Sequence, residues 1–131
     1  MKVVALDYGR ARTGVAVSDP TGTVARPLAV VADAGSRSGL ARVAAIVRDE
    51  EADRVVVGLP LTLRGNRGEQ AAETERFVEA LERALEVPVE TFDERFTTRL
   101  AEDADEPTAA ADARAAAHLL ATYLEWASRR S

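Results

Sequence analysis

The sequence predicts an α/β fold on a five-stranded mixed sheet flanked by helices, with elements in the order β-β-β-α-β-α-β-α. Three observations carry this. Short Val-rich segments open the chain with connections too brief to hold a helix, which makes an antiparallel meander. Later apolar runs alternate with segments whose apolar residues recur every 3.6 positions. Between two such segments, Arg54–Gly58 (RVVVG) has no polar side at all, as expected of a strand covered on both faces.

Each element has its own signal. Lys2–Asp7 (KVVALD) is a buried strand ending at an acid, and Tyr8-Gly9 turns the chain. Gly14–Ser18 is the second strand; Asp19-Pro20-Thr21-Gly22 suits a type I turn, with Asp first, Pro second and Gly fourth. Thr23–Ala32 is the third strand. After the Ser/Gly-rich stretch Gly35–Gly39, Leu40, Val43, Ala44 and Val47 share one side of a first helix. Gly58-Leu59-Pro60 closes the fourth strand, and the Gly/Arg-rich loop Leu61–Gly68 follows. Thr74, Phe77, Val78, Leu81 and Leu85 line a second helix whose other side is Glu-rich. Val87–Phe92 is the fifth strand, and Thr97 or Thr98 can cap a short helix through about Asp103. The last helix, Thr108–Arg129, is dense in Ala, which allows close packing of its broad apolar face. The Ala/Asp/Glu stretch Glu102–Ala111 is the expected mobile segment, and 1–131 reads as a single domain.

Composition narrows the function. At 131 residues the chain supports one core and no interdomain cleft. No apolar run approaches the roughly eighteen residues of a membrane span, and Met1–Val4 does not begin a leader, so the expectation is a cytoplasmic protein without membrane contact. The absence of Cys removes disulfides, thiolate zinc sites and cysteine nucleophiles together. A net charge of −5 argues against a uniformly basic nucleic-acid binder. Yet of the 17 basic residues only Lys2 is a lysine, the other 16 being Arg, the residue that forks onto phosphate. Arg10 and Arg12, Arg64 and Arg67, and Arg95 and Arg99 stand in pairs near glycines or turns, so a basic patch on an acidic body is expected.

Carboxylates at element ends are the candidate chemistry. Asp7 ends the first strand and either caps the turn or reaches a ligand there; Gly9 and Gly14 would let a phosphate approach the backbone. Asp93 and Glu94 stand at the end of the fifth strand, where a solvated pair beginning a loop is the plainer reading. Neighbours on a strand point to opposite faces, so the sequence does not choose between them. Asp112 lies near the start of the last helix, on or beside its packing face, where the helix dipole alone would favour an acid. If Asp7, Asp93 or Glu94, and Asp112 converge, their mutual repulsion calls for a divalent cation, and an oxygen-only donor set suits Mg²⁺ or Mn²⁺. Such a cluster is a device for phosphodiester cleavage. The lone His118 reads as a packed helix residue, without partners for a Ser-His-Asp triad. The Leu61–Gly68 loop has neither the Lys nor the spacing of a phosphate-binding P-loop.

Together ALDYGRARTGVAVSD (Ala5–Asp19), VVVGLPLTLRGNRGEQA (Val55–Ala71), DERFTT (Asp93–Thr98) and DARAAAHLLATYL (Asp112–Leu124) resemble the YqgF family of RuvX-like Holliday junction resolvases and pre-16S rRNA nucleases. The likeness runs over nearly the whole chain. It implies an RNase H-like fold, the element order read above from periodicity. It also implies a catalytic, metal-binding centre of Asp7, the pair Asp93/Glu94, and Asp112. Arg10, Arg12, Arg64, Arg67, Arg95 and Arg99 would contact phosphates, positioning nucleic acid without reading its sequence. The stretch Glu102–Asp112 is shorter and more acidic than the family's Lys/Arg-rich segment. Gly58-Leu59-Pro60 stands where related resolvases place a carboxylate, which leaves the strand-five acids to supply it.

The function expected from these features is a metal-dependent endonuclease for structured nucleic acid, processing the 5′ end of pre-16S rRNA in ribosome biogenesis and/or resolving Holliday junctions. A symmetric homodimer would suit a two-armed junction, with Trp126 or the Ala-rich helix as contact. The competing reading is a non-catalytic nucleic-acid-binding module, which predicts salt-sensitive binding without turnover. A phosphotransferase of the actin and sugar-kinase type would need a second domain to enclose its nucleotide.

Overall fold

The structure, a computed structural model, describes residues 1–61, 68–96 and 108–130. Strands β1 (Val3–Asp7), β2 (Arg12–Ser18), β3 (Ala25–Ala32), β4 (Arg54–Leu59) and β5 (Val89–Asp93) form one sheet in the order β3-β2-β1-β4-β5. The helices are α1 (Arg37–Asp49), α2 (Glu69–Ala84) and α3 (Ala109–Ser128). β2 runs antiparallel to both neighbours, whereas β1, β4 and β5 are parallel, so the expected order and the mixed sheet are both present. The central strand is β1. Because α1, α2 and α3 each follow a strand parallel to β1, all three helices start at the sheet edge where β1 ends, and their positive dipole ends gather there.

Period-two alternation divides the interior into two layers. Val4, Leu6, Val15, Val17, Val55 and Val57 face α1 and α2, meeting Val43, Val47, Phe77, Val78 and Leu81. Val3, Ala5, Ala16, Val56 and Phe92 face α3, meeting Ala116, Leu119, Leu120, Tyr123 and Leu124. Every residue of β4 after Arg54 is buried, as its all-apolar run required.

Element ends shift for local reasons. β3 begins at Ala25 rather than Thr23 because Asp19 Oδ1 accepts from the amides of Thr23 (2.8 Å) and Val24 (2.9 Å), holding them in the turn. The Thr21 hydroxyl, donating to Oδ2, together with these two amides keeps the Asp19 carboxyl well below the usual carboxylate range. β5 begins at Val89 because Pro88 has no amide to donate, although its carbonyl accepts from Val55 N at 2.9 Å. α1 starts before Gly39, since Ser36 caps it by accepting from Gly39 N at 3.0 Å. Gly39 is required there because a Cβ would come within 2.0 Å of the Asp33 carbonyl oxygen. A single 3₁₀ turn, Glu94–Phe96, follows β5. Ala109–Ala111 of the expected mobile stretch are already helical behind the Thr108 cap. The remainder of that stretch, and the short helix expected from Thr97 or Thr98, lie outside the described residues.

Candidate active site

The site forms at the carboxyl end of β1. Asp7 is the last residue of that strand, half-buried, on the side of the sheet that α3 covers. Its partner in β2 is Gly14. On the other side, the pairing Leu6↔Val57 makes Gly58 the next residue of β4 alongside it. A carboxylate on the central strand is thus bracketed by two residues without side chains.

Each glycine makes room for another acid-bearing element. A Cβ at Gly14 would lie 2.0 Å from the Asp112 carbonyl oxygen and 3.3 Å from Ala113 N, so the first turn of α3 rests on β2 backbone. Gly14 therefore serves helix packing, where the sequence suggested room for a phosphate. A Cβ at Gly58 would lie 2.6 Å from Glu94 Oε1 and 3.0 Å from Leu119 Cδ2. The Glu94 carboxyl therefore covers the carboxylate-less end of β4 from the neighbouring strand's extension. Asp7, Glu94 and Asp112 are brought to one corner of one sheet face.

Asp93 takes a different course. It pairs with Leu59 and follows Phe92, which faces α3, so alternation turns Asp93 to the opposite face from Glu94. Arg95 grips it there: Nε donates at 2.9 Å and Nη2 at 2.6 Å to Oδ2, while the Arg95 amide donates to Oδ1 at 2.9 Å. The guanidinium contact keeps the Asp93 carboxyl below the usual range. The two neighbours differ in facing: Asp93 turns away from α3, while the Glu94 carboxyl at Gly58 lies on the face that Asp7 shares.

Among the described residues, the arginines singled out in the sequence are held by carboxylates. Arg10 pairs with Glu73 of α2, Arg95 with Asp93, and Arg12 Nε lies 2.9 Å from Asp112 Oδ2. Arg12 and Gly14 are two residues apart and share a face, which brings that guanidinium to the start of α3. Arg64, Arg67 and Arg99 lie outside the described residues. His118 is partly exposed on α3, its Nε2 buried without a hydrogen-bond partner among the described residues. Trp126 packs within its own chain, 5.5 Å from the Phe92 ring and beneath Arg130.

The donor set suits a hard divalent cation in kind, being all oxygen, and Asp112 Oδ2 is buried without a hydrogen-bond partner among the described residues, balanced by the charge of Arg12. As the side chains stand, no three His, Cys, Asp or Glu among the described residues are arranged to hold one ion together. The corner is therefore a set of carboxyl groups on three converging elements, with an arginine at its rim.

A cleft behind Tyr8, on the other side of the same edge, was not anticipated from the sequence. Tyr8 stacks on Phe77 with centroids 4.4 Å apart, and Thr13, fully buried, ties the intervening turn through Gly9. The available signal was the alternation itself, since Asp7 and Tyr8 must point to opposite faces.

The family model of the RuvX Holliday junction resolvases matches residues 1–126. A Chloroflexus aurantiacus protein described as "Putative pre-16S rRNA nuclease" is 45% identical over 100 residues, covering 76% of this chain and 65% of its own, so the match spans just under two thirds of that relative. A protein of the same description from Anaeromyxobacter sp. is 42% identical over 133 residues, covering 95% of this chain and 97% of its own. Among solved structures, T. thermophilus RuvC in complex with a Holliday junction substrate superposes with a TM-score of 0.61 at 24% identity, covering 98% of this chain and 97% of that one. The fowlpox virus resolvase in complex with Holliday junction DNA gives 0.60 at 14% identity, covering 97% and 99%. At these identities the structural likeness speaks for the fold alone, and it agrees with the RNase H-like architecture expected from the sequence. No helix among the described residues is long and apolar enough to cross a membrane.

Proposed function

The chain belongs to the family of RuvX Holliday junction resolvases, and on that premise we propose that it is a cytoplasmic, metal-dependent endonuclease, a single domain of residues 1–131 that cleaves phosphodiesters of precursor rRNA or branched DNA. The observation that carries the reading is the bracketing of Asp7 by Gly14 and Gly58, with Asp112 lying over the first and Glu94 over the second. Nothing in the packing of a sheet requires three acids at one corner of a buried face. Asp7, Glu94 and Asp112 would hold Mg²⁺ or Mn²⁺, which when bound activates water and stabilises charge on the attacking and leaving oxygens. Arg12 fixes Asp112 against β2. Arg95, fixed by Asp93, joins Arg10 and Arg12 as cations near the substrate backbone, together with Arg64, Arg67 and Arg99. Asp93 then acts by holding Arg95 and Glu94 by facing the reacting phosphate. A two-fold dimer would present two such corners to a four-way junction.

The decisive experiment is cleavage of labelled pre-16S leader fragments and four-way DNA junctions in Mg²⁺, Mn²⁺ or EDTA. Asp7→Asn is expected to lower the metal-dependent rate by about 10³-fold or more while the chain stays folded, on the scale of several kcal/mol that such an ion supplies. Glu94→Gln should approach that loss and Asp93→Asn should fall well short of it; the reverse order would exchange their roles. The second reading, a non-catalytic binding module, is favoured by one observation: the described acids do not form an ion-holding trio as they stand. It predicts salt-sensitive binding of both substrates with no metal-dependent product.

A further inference from the structure

Two adjoining cavities lie on the far side of the sheet edge from Asp112, and Tyr8, Arg10 and Glu73 line both. The first, ≈ 390 Å³, is completed by Glu69 and Gln70 at the start of α2; the second, ≈ 280 Å³, by Arg76 and Phe77. The larger falls within the range of small-ligand sites, about 300–1,000 Å³. The ion pair of Arg10 and Glu73 spans the junction between them, with Arg10 mostly exposed and Glu73 mostly covered.

The lining selects the guest. Tyr8 is anchored against Phe77 with ring planes 25° apart and contributes aromatic surface to both cavities, while Arg10 brings a planar guanidinium. A flat heterocycle stacks on both kinds of surface. Glu69 and Glu73 offset Arg10 and Arg76, which leaves no net charge to hold a phosphate, and their carboxylates can only accept hydrogen bonds, so the lining favours a neutral ring that donates from an exocyclic amine; Gln70 can donate or accept. Tyr8 is also the chain neighbour of Asp7, with Cα atoms about 3.8 Å apart, and points to the opposite side of the sheet. A strand laid across the end of β1 with a phosphodiester at Asp7 has its adjacent base within reach of the cleft.

We propose that this cleft takes one unpaired, amine-bearing nucleobase (adenine, cytosine or guanine) from the nucleotide beside the phosphodiester at Asp7. The assignment rests on the nuclease reading and deepens it: the enzyme would select substrates in which a base beside the cut is free to leave its helix.

The test is equilibrium binding in EDTA, using a duplex that carries one unpaired 2-aminopurine and, as reference, the same duplex fully paired. The wild-type chain and Tyr8→Phe should quench the probe. Tyr8→Ala should abolish the quench and weaken binding about tenfold, leaving the fully paired duplex unaffected, on the scale measured for base stacking on aromatic side chains. Uracil in place of 2-aminopurine should weaken binding, and Glu73→Gln, which removes the carboxylate charge and keeps the side-chain length, should narrow that difference. Equal binding by wild type and Tyr8→Ala, equal losses on the paired duplex, or no discrimination against uracil would each overturn the assignment. A chain that quenches but never cleaves refutes the nuclease reading alone, and one that cleaves without quenching refutes the cleft alone.

Discussion

The two faces of the sheet are built from different residues for different ends. Towards α1 and α2 the strands present Val4, Leu6, Val15, Val17, Val55 and Val57, and branched side chains keep those helices at ordinary packing distance. Towards α3 they present Ala5, Gly14, Ala16 and Gly58 along with Val3 and Val56, so that one helix comes down almost onto backbone at its first turn. The first face supplies most of the large buried side chains. The second exchanges volume for proximity, and that proximity sets Asp112 beside Asp7. Polar residues also divide along α3: at its far end Tyr123 donates to Glu90, and Arg54 donates to both at 3.0 Å, so these three side chains partner one another.

The sharpest way to break this contrast is to add one methyl group to each small residue. Gly14→Ala pushes Cβ into the Asp112 carbonyl, and because helix backbone cannot rotate away it should cost about 3 kcal/mol, read as a lowered urea midpoint. A midpoint within error of wild type would show that α3 does not depend on this approach. Gly58→Ala meets Glu94 and Leu119 side chains, which can shift, so stability should fall by only about 1 kcal/mol. Nuclease turnover should drop by about 10²-fold, because the displaced group is Glu94 itself; unchanged turnover would remove Glu94 from the site. The smallest effect concerns the acid on the opposite side. The folded state depresses the Asp93 pKa through Arg95, so its stabilisation is complete above the unfolded value of about 4 and is lost as pH falls through the lower folded value. Acid titration of Asp93→Asn should show a shallower loss of stability below about pH 4 than wild type, and parallel curves would refute the linkage.

Much of this was legible in the chain. Short Val-rich apolar runs bounded by turn residues gave the strands, the 3.6 period gave the helices, and Asp7, Asp93/Glu94 and Asp112 were marked as acids at element ends. The boundaries at Ala25 and Val89 were harder, since they depend on which amide Asp19 captures and on a proline that cannot donate. The helical start at Arg37 was hidden by Gly39, which looks like a breaker until Asp33 is seen against it.

Local pattern sufficed for element type, order and the identity of the acids because periodicity and turn chemistry act over a few residues. Which acids meet is a matter of register between strands distant in sequence. Only the pairing Asp7↔Gly14, the parallel alignment of β1 with β4, the alternation past Phe92 that turns Asp93 away, and the 3₁₀ turn that lays Glu94 against Gly58 put Glu94 with Asp7. A slip of one residue in any of these strands would exchange the two faces and dissolve the site while leaving the sequence of every element unchanged.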